Sequence, residues 1–96
     1  MLLNQEKYDN LMSTSKQAIE KWGVEAQIQQ MIEESSELIC ELARIKREGR
    51  TSPEQITEEM VDCYIMIHEM ICVFGDDLFK YMFDKKMDRF IKKLND

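Results

Sequence analysis

Glycine and proline are scarce in this sequence, with three Gly and one Pro in 96 residues. That scarcity excludes a collagen-like repeat, a turn-rich β-sandwich and a disordered tail, each of which uses these residues often. Histidine occurs once, and Cys40, Cys63 and Cys72 lack the close C-x-x-C spacing of a zinc site or thiol redox motif. Each Cys falls inside an apolar helical pattern, so reduced core thiols are expected. Surplus basic charge is also missing: 13 Lys+Arg stand against 19 Asp+Glu, a net charge of −6. Binding to a nucleic acid polymer is therefore not expected, because excess Lys and Arg carry it. The most apolar stretch, Met60 to Phe74, is shorter than a membrane span needs and contains Asp62, His68 and Glu69. Met1 to Leu3 is followed at once by Asn4, Gln5 and Glu6, so neither a signal-peptide segment nor a lipidation motif is expected. The expectation is a cytoplasmic protein with no membrane partner.

What is present is helical. Hydrophobic residues make up 44% of the chain and charged residues 33%, and their spacing divides residues 1–96, read as a single domain, into four helical segments of an all-α bundle. The first runs from Gln5 to Lys21 and stops at Trp22-Gly23. The second runs from Val24 to Lys46; at 100° per residue, Val24, Ile28, Met31, Ile32, Ser35, Leu38, Ile39 and Leu42 share one face, with Gln30, Glu33, Glu34, Glu37 and Glu41 on the other. After the polar break Glu48–Ser52, Ser52-Pro53-Glu54-Gln55 reads as an N-cap, a first-turn proline and a capping box that open the third segment. The third ends at Phe74-Gly75, and Asp76 or Asp77 is expected to cap a fourth that runs to Leu94. The third segment is apolar on nearly every side, and a domain of this size buries only about 60 to 65% of its unfolded surface. A homo-oligomer, dimer or tetramer, is expected to cover the remainder.

Two groups of acids stand out. Glu34 and Glu37 lie at i and i+3 in Glu33-Glu34-Ser35-Ser36-Glu37, and Glu59 and Asp62 repeat that spacing in the most hydrophobic segment. Unpaired charge in apolar surroundings costs several kcal/mol, so something positive is expected to meet these acids. Carboxylates from two facing helices offer the hard oxygen ligands that Mg²⁺ or Mn²⁺ favours, although Lys or Arg could serve instead. A ferritin-type di-iron site needs Glu-x-x-His pairs, and Ile65 stands three residues before the single His68.

This pattern resembles the signature of the MazG-like nucleoside triphosphate pyrophosphohydrolases, the all-α NTP pyrophosphatase superfamily: Glu33, Glu34 and Glu37, then Glu59 and Asp62. Lys21-Trp22-Gly23-Val24 with Gln27, the apolar run ending in Phe74-Gly75, and Lys86-x-x-Arg89-Phe90 also look like its small single-domain members, over about residues 16–94. Asp88 departs from the Asn that many members have there. The resemblance implies Mg²⁺ held by Glu34, Glu37, Glu59 and Asp62, with Glu33 orienting or deprotonating the attacking water. It also implies hydrolysis of (deoxy)nucleoside triphosphates between the α- and β-phosphates to a monophosphate and pyrophosphate.

Among the fourth segment's cations, Lys86, Arg89 and Lys93 share a face that could meet phosphates, and Lys85 is a neighbour able to substitute; a solvated basic helix end is the plainer reading. Trp22, Gln27 and Gln30 are possible base or sugar contacts, although Trp22 could equally be a packing anchor. Glu69 continues the Glu59–Asp62 face and could support the ligands from behind, while His68 reads as a core histidine. The rival to the enzyme is a non-catalytic helical oligomerisation module whose acids are solvated or paired with the basic fourth segment.

Overall fold

Helix ends are written locally in this chain. Asn4 accepts a hydrogen bond from the Lys7 amide at 2.8 Å, and Ser52 accepts one from the Gln55 amide at 3.3 Å ahead of Pro53; caps of this kind contribute about 1 kcal/mol each. The computed structural model describes residues 3–50 and 52–96 and contains α1 (Gln5–Trp22), α2 (Val24–Glu48), α3 (Pro53–Phe74) and α4 (Asp76–Leu94), with no strand among them. Met1 and Leu2 of the leading segment, and Thr51 of the polar break, lie outside the described residues. The expected aspartate cap of α4 is not the one used. Gly75 occupies the cap, and Asp76 is the first helical residue, where its carboxylate faces the positive end of the helix dipole and pairs with Lys80 at 3.3 Å.

Connection length sets the directions of the helices. Residues 49–52 give α2 and α3 room to reverse into an antiparallel pair. Gln27 meets Glu69, Glu34 meets Cys63 and Glu41 meets Gln55 along it. Gly23 and Gly75, by contrast, are single-residue connections at φ +89° and +115°, which side-chain-bearing residues rarely adopt. They are shorter than the two to five residues of a helical hairpin. α1 crosses α3, with Tyr8 edge-on to His68 and the Cys72 thiol near the Met12 carbonyl. Of the three other helices, α4 comes close only to α3.

The buried interior is small. Among the described residues it comprises Cys63, Met66 and Ile71 with Ser15, Gln27, His68 and Glu69, so more of its members are polar than apolar. The radius of gyration is 15.7 Å, where a compact domain of this length has about 12.5 Å. Two expectations about packing are corrected. The α2 seam runs through Gln27, Met31, Glu34, Leu38, Glu41 and Ile45, and Val24, Ile32, Ile39 and Leu42 are exposed. The apolar face of α2 is split because α3 covers only one side of it. Cys40 is exposed for the same reason, although Cys63 is buried and Cys72 half-buried as core thiols. In α3, Met60, Val61, Ile65 and Phe74 face outward, in line with the expectation that one chain has too few helices to cover it all round. No described helix is long and apolar enough to cross a membrane.

Candidate metal centre

The antiparallel α2–α3 pairing brings acids from two distant stretches of sequence together. Glu34 lies on the α2 seam opposite Cys63, whose thiol donates to the Glu34 backbone carbonyl at 3.2 Å. That bond lies one residue from Asp62 and one turn from Glu59. Ligand oxygens of Glu34, Glu59 and Asp62 consequently lie within 4.8 Å of one another. Oxygen donors on one hard divalent cation stand about 3 to 4 Å apart, so small carboxylate rotations suffice to close this cluster around an ion.

The electrostatics identify what the cluster lacks. Glu34 is raised above the ordinary carboxylate range mainly by burial, with the charges of Asp62 and Glu37 adding, and the Gln30 amide opposes the rise by donating to Glu34 Oε1 at 2.8 Å. Glu59 is raised by burial first and by the neighbouring Glu37 carboxylate second. Both Glu34 Oε2 and Glu59 Oε2 are shielded from solvent without a hydrogen-bond donor. The ion pairs among the described residues are Arg44–Glu41, Arg50–Glu48 and Lys80–Asp76, and none reaches these acids. Orphaned carboxylate oxygens, mutual repulsion and the absence of a basic partner fit a hard divalent cation, Mg²⁺ or Mn²⁺. Glu34, Glu59 and Asp62 would hold it, with Glu37 close enough to Glu59 to share in its charge.

The remaining sequence candidates scatter. Glu33 and Glu37 are exposed next to the cluster, and Gln30 supports it through Glu34. Gln27 is buried two turns away, where its amide nitrogen donates to Glu69 Oε1 at 2.6 Å and Oε2 at 3.2 Å. Glu69, raised by burial, thus pairs with Gln27 instead of backing the ligands. Trp22 is 59% exposed with Lys21 over its ring, so it anchors no packing within the chain. Lys85, Lys86 and Arg89 are exposed on α4 and make no ion pair among the described residues; Lys85 instead sits over the Tyr81 ring. His68 is buried between Tyr8 and Tyr64, as a core histidine should be, and burial lowers its pKa. Cys63 is the site residue that sequence reasoning missed. Its signal was its place on the inward stripe with Met66, and burial followed by the Glu34 charge holds its thiol protonated.

No family model, curated protein or solved structure matches this chain. The likeness to the MazG-like enzymes therefore rests on the motif residues, of which Glu34, Glu59 and Asp62 converge in the fold.

Proposed function

We propose that the protein is a Mg²⁺-dependent nucleoside triphosphate pyrophosphohydrolase of the MazG-like type. The observation that carries this reading is the convergence of Glu34, Glu59 and Asp62 from two helices, with no ion pair to any of them among the described residues. When bound, the cation supplies charge neutralisation at the phosphoryl oxygens and a lowered pKa for water. Glu34, Glu59 and Asp62 hold and orient that centre, and Glu37 adds negative charge at its edge. Glu33, exposed and one residue from Glu34, takes the proton from the attacking water. The water oxygen bonds to the α-phosphorus, the bond to the bridging oxygen breaks, and pyrophosphate leaves with that oxygen. Gln30 holds Glu34 in place through their hydrogen bond.

Release of pyrophosphate from a panel of nucleoside and deoxynucleoside triphosphates, with and without Mg²⁺, tests this directly. Mg²⁺-dependent release that Asp62→Asn eliminates is expected, and no release from any member of the panel rejects the enzyme. The exposed apolar surface of α3 and α4 favours a second reading, a non-catalytic oligomerisation module. Calorimetry separates the two, because the module has no Mg²⁺ binding that depends on Asp62.

A further inference from the structure

Polar residues recur along the α2–α3 seam at one interval. Gln27, Glu34 and Glu41 stand seven residues apart on α2, and Gln55, Asp62 and Glu69 stand seven apart on α3. Seven residues are close to two helical turns, so each set lies along one face of its helix. Because the helices run antiparallel, the sets meet as three successive pairs: Gln27 with Glu69, Glu34 with Asp62, and Glu41 with Gln55.

The outer two pairs are matched, and the middle one is not. Gln27 donates its amide nitrogen to both Glu69 oxygens, at 2.6 and 3.2 Å, and the two residues are only 6% and 5% exposed. Gln55 donates to Glu41 Oε1 at 2.9 Å, while Arg44 holds the other Glu41 oxygen at 2.6 Å. In the middle, two carboxylates face each other, and Glu34 Oε2 has no donor. At 1.5 Å per residue, a matched pair lies about 10.5 Å to either side of the acids.

That order has a physical consequence. Apolar side chains such as Met31 and Leu38 pack without a preferred direction, whereas an amide and a carboxylate meet in only one alignment. A shift of one residue moves a side chain about 1.5 Å along its helix and about 100° around it, which breaks both bonds and strands the buried Glu69 carboxylate. Polar residues on a helix–helix seam select register in this way. The acids cannot select it, because like charges repel and push α2 and α3 apart before a cation binds. A matched pair on each side opposes that push from both ends.

We propose that Gln27–Glu69 and Gln55–Glu41 are positioning pairs: they hold the α2–α3 register that brings Glu34 to Glu59 and Asp62 before a cation arrives. The hold on register depends on the spacing and the hydrogen bonds alone; only its consequence for a cation rests on the metal centre of the proposed function.

Two full-length variants test it at the buried pair. Gln27→Leu/Glu69→Leu replaces both partners by apolar groups, an exchange that is nearly neutral for stability, and Gln27→Glu/Glu69→Gln reverses the pair while keeping its bond. Register is read in metal-free protein from nuclear Overhauser contacts between Cys63 and Glu34, which lie side by side in the fold. Wild type and the reversed pair are expected to keep those contacts, and the Leu pair to lose them or divide them among several sets of signals at unchanged helix content. Mn²⁺ affinity, followed by the electron paramagnetic resonance of the free ion, should fall about tenfold or more in the Leu pair and return in the reversed pair. Wild-type contacts in the Leu pair, or lost contacts in the reversed pair, overturn the proposal whether or not Mn²⁺ binds. Unchanged Mn²⁺ affinity in a Leu pair whose register has moved also overturns it. Should the Leu pair fail to fold, Gln27→Glu alone decides: contacts that it disturbs and that adding Glu69→Gln restores uphold the pair, and undisturbed contacts overturn it. A wild type that binds no Mn²⁺, with the contacts moving as expected, upholds the positioning pairs and rejects the metal centre.

Discussion

The α2–α3 seam and α4 invert the usual rule of protein interiors in opposite ways. Along the seam, polar groups are buried: Gln27 bonds to Glu69, and Glu34 and Glu59 each hide an oxygen with no donor. Along α4, Phe83, Phe90 and Leu94 stand in solvent. Buried charge without a partner and exposed apolar surface without cover are each unfavourable alone. The contrast teaches that the single chain leaves two different kinds of surface unsatisfied, a carboxylate cluster that could hold a cation and an apolar helix face without cover.

The sharpest break in the comparison is at the acids. Asp62→Asn and Glu37→Gln keep shape and remove charge, so pyrophosphate release should fall at least about a thousandfold while thermal stability holds or rises by a few degrees. Full activity in either variant, measured at saturating Mg²⁺, removes the metal centre from the mechanism.

At the other region, Phe83→Asp with Phe90→Asp should convert the expected homo-oligomer to monomers. Each buried Phe is worth about 2 to 3 kcal/mol, so the dissociation constant should rise more than about a hundredfold. Circular dichroism should lose no more helix than α4's own share, because no α4 residue is buried in its own chain. Unchanged mass by light scattering would show that the apolar face of α4 is not the interface.

A third test lies on the basic face of α4, at Arg89. Arg89→Ala should lower kcat/KM by about tenfold to a thousandfold, roughly 1.4 to 4 kcal/mol, without altering Mg²⁺ affinity measured in the absence of nucleotide. Lys80→Ala is the internal control, since Lys80 is engaged with Asp76 near the start of α4. Equal, small losses in both variants mean that the basic face of α4 is only solvated.

The smallest effect is on stability against pH. Glu34, Glu59 and Glu69 are all raised in the fold from 4.5, so the folded state binds protons more tightly than the unfolded one. Their contribution is full below the unfolded value and is lost as pH rises through the folded values. In chelator, melting temperature should therefore fall by a few degrees from about pH 4.5 toward neutrality, and Mg²⁺ should reverse that fall. Glu34→Gln, which cannot titrate, should flatten the curve; an identical slope in the variant rules out Glu34 as its source.

Most of the helix boundaries were legible from local chemistry. Ser52-Pro53 and Gly49 bracket the α2–α3 connection, and Gly23 and Gly75 end α1 and α3, because capping and positive φ act within a few residues. The acid spacing was legible as well, since i and i+3 share a helical face whatever surrounds them. The α2 face was read incorrectly because periodicity sums every apolar side chain on a helix. It cannot separate Met31 and Leu38, turned to α3, from Ile32 and Ile39, turned outward. Gln27 and Glu69 looked like independent contacts for the same reason, and only the antiparallel pairing makes them partners.

By itself, then, the sequence determined four helices, where most of them begin and end, and which acids share a face, all short-range consequences of backbone geometry and side-chain type. Tertiary structure decided the rest: that Glu34 meets Glu59 and Asp62, that the Cys63 thiol reaches the Glu34 carbonyl beside them, and that α4 comes close only to α3. Those outcomes depend on connection length and on which faces win the limited area for burial, quantities that belong to the packed chain as a whole.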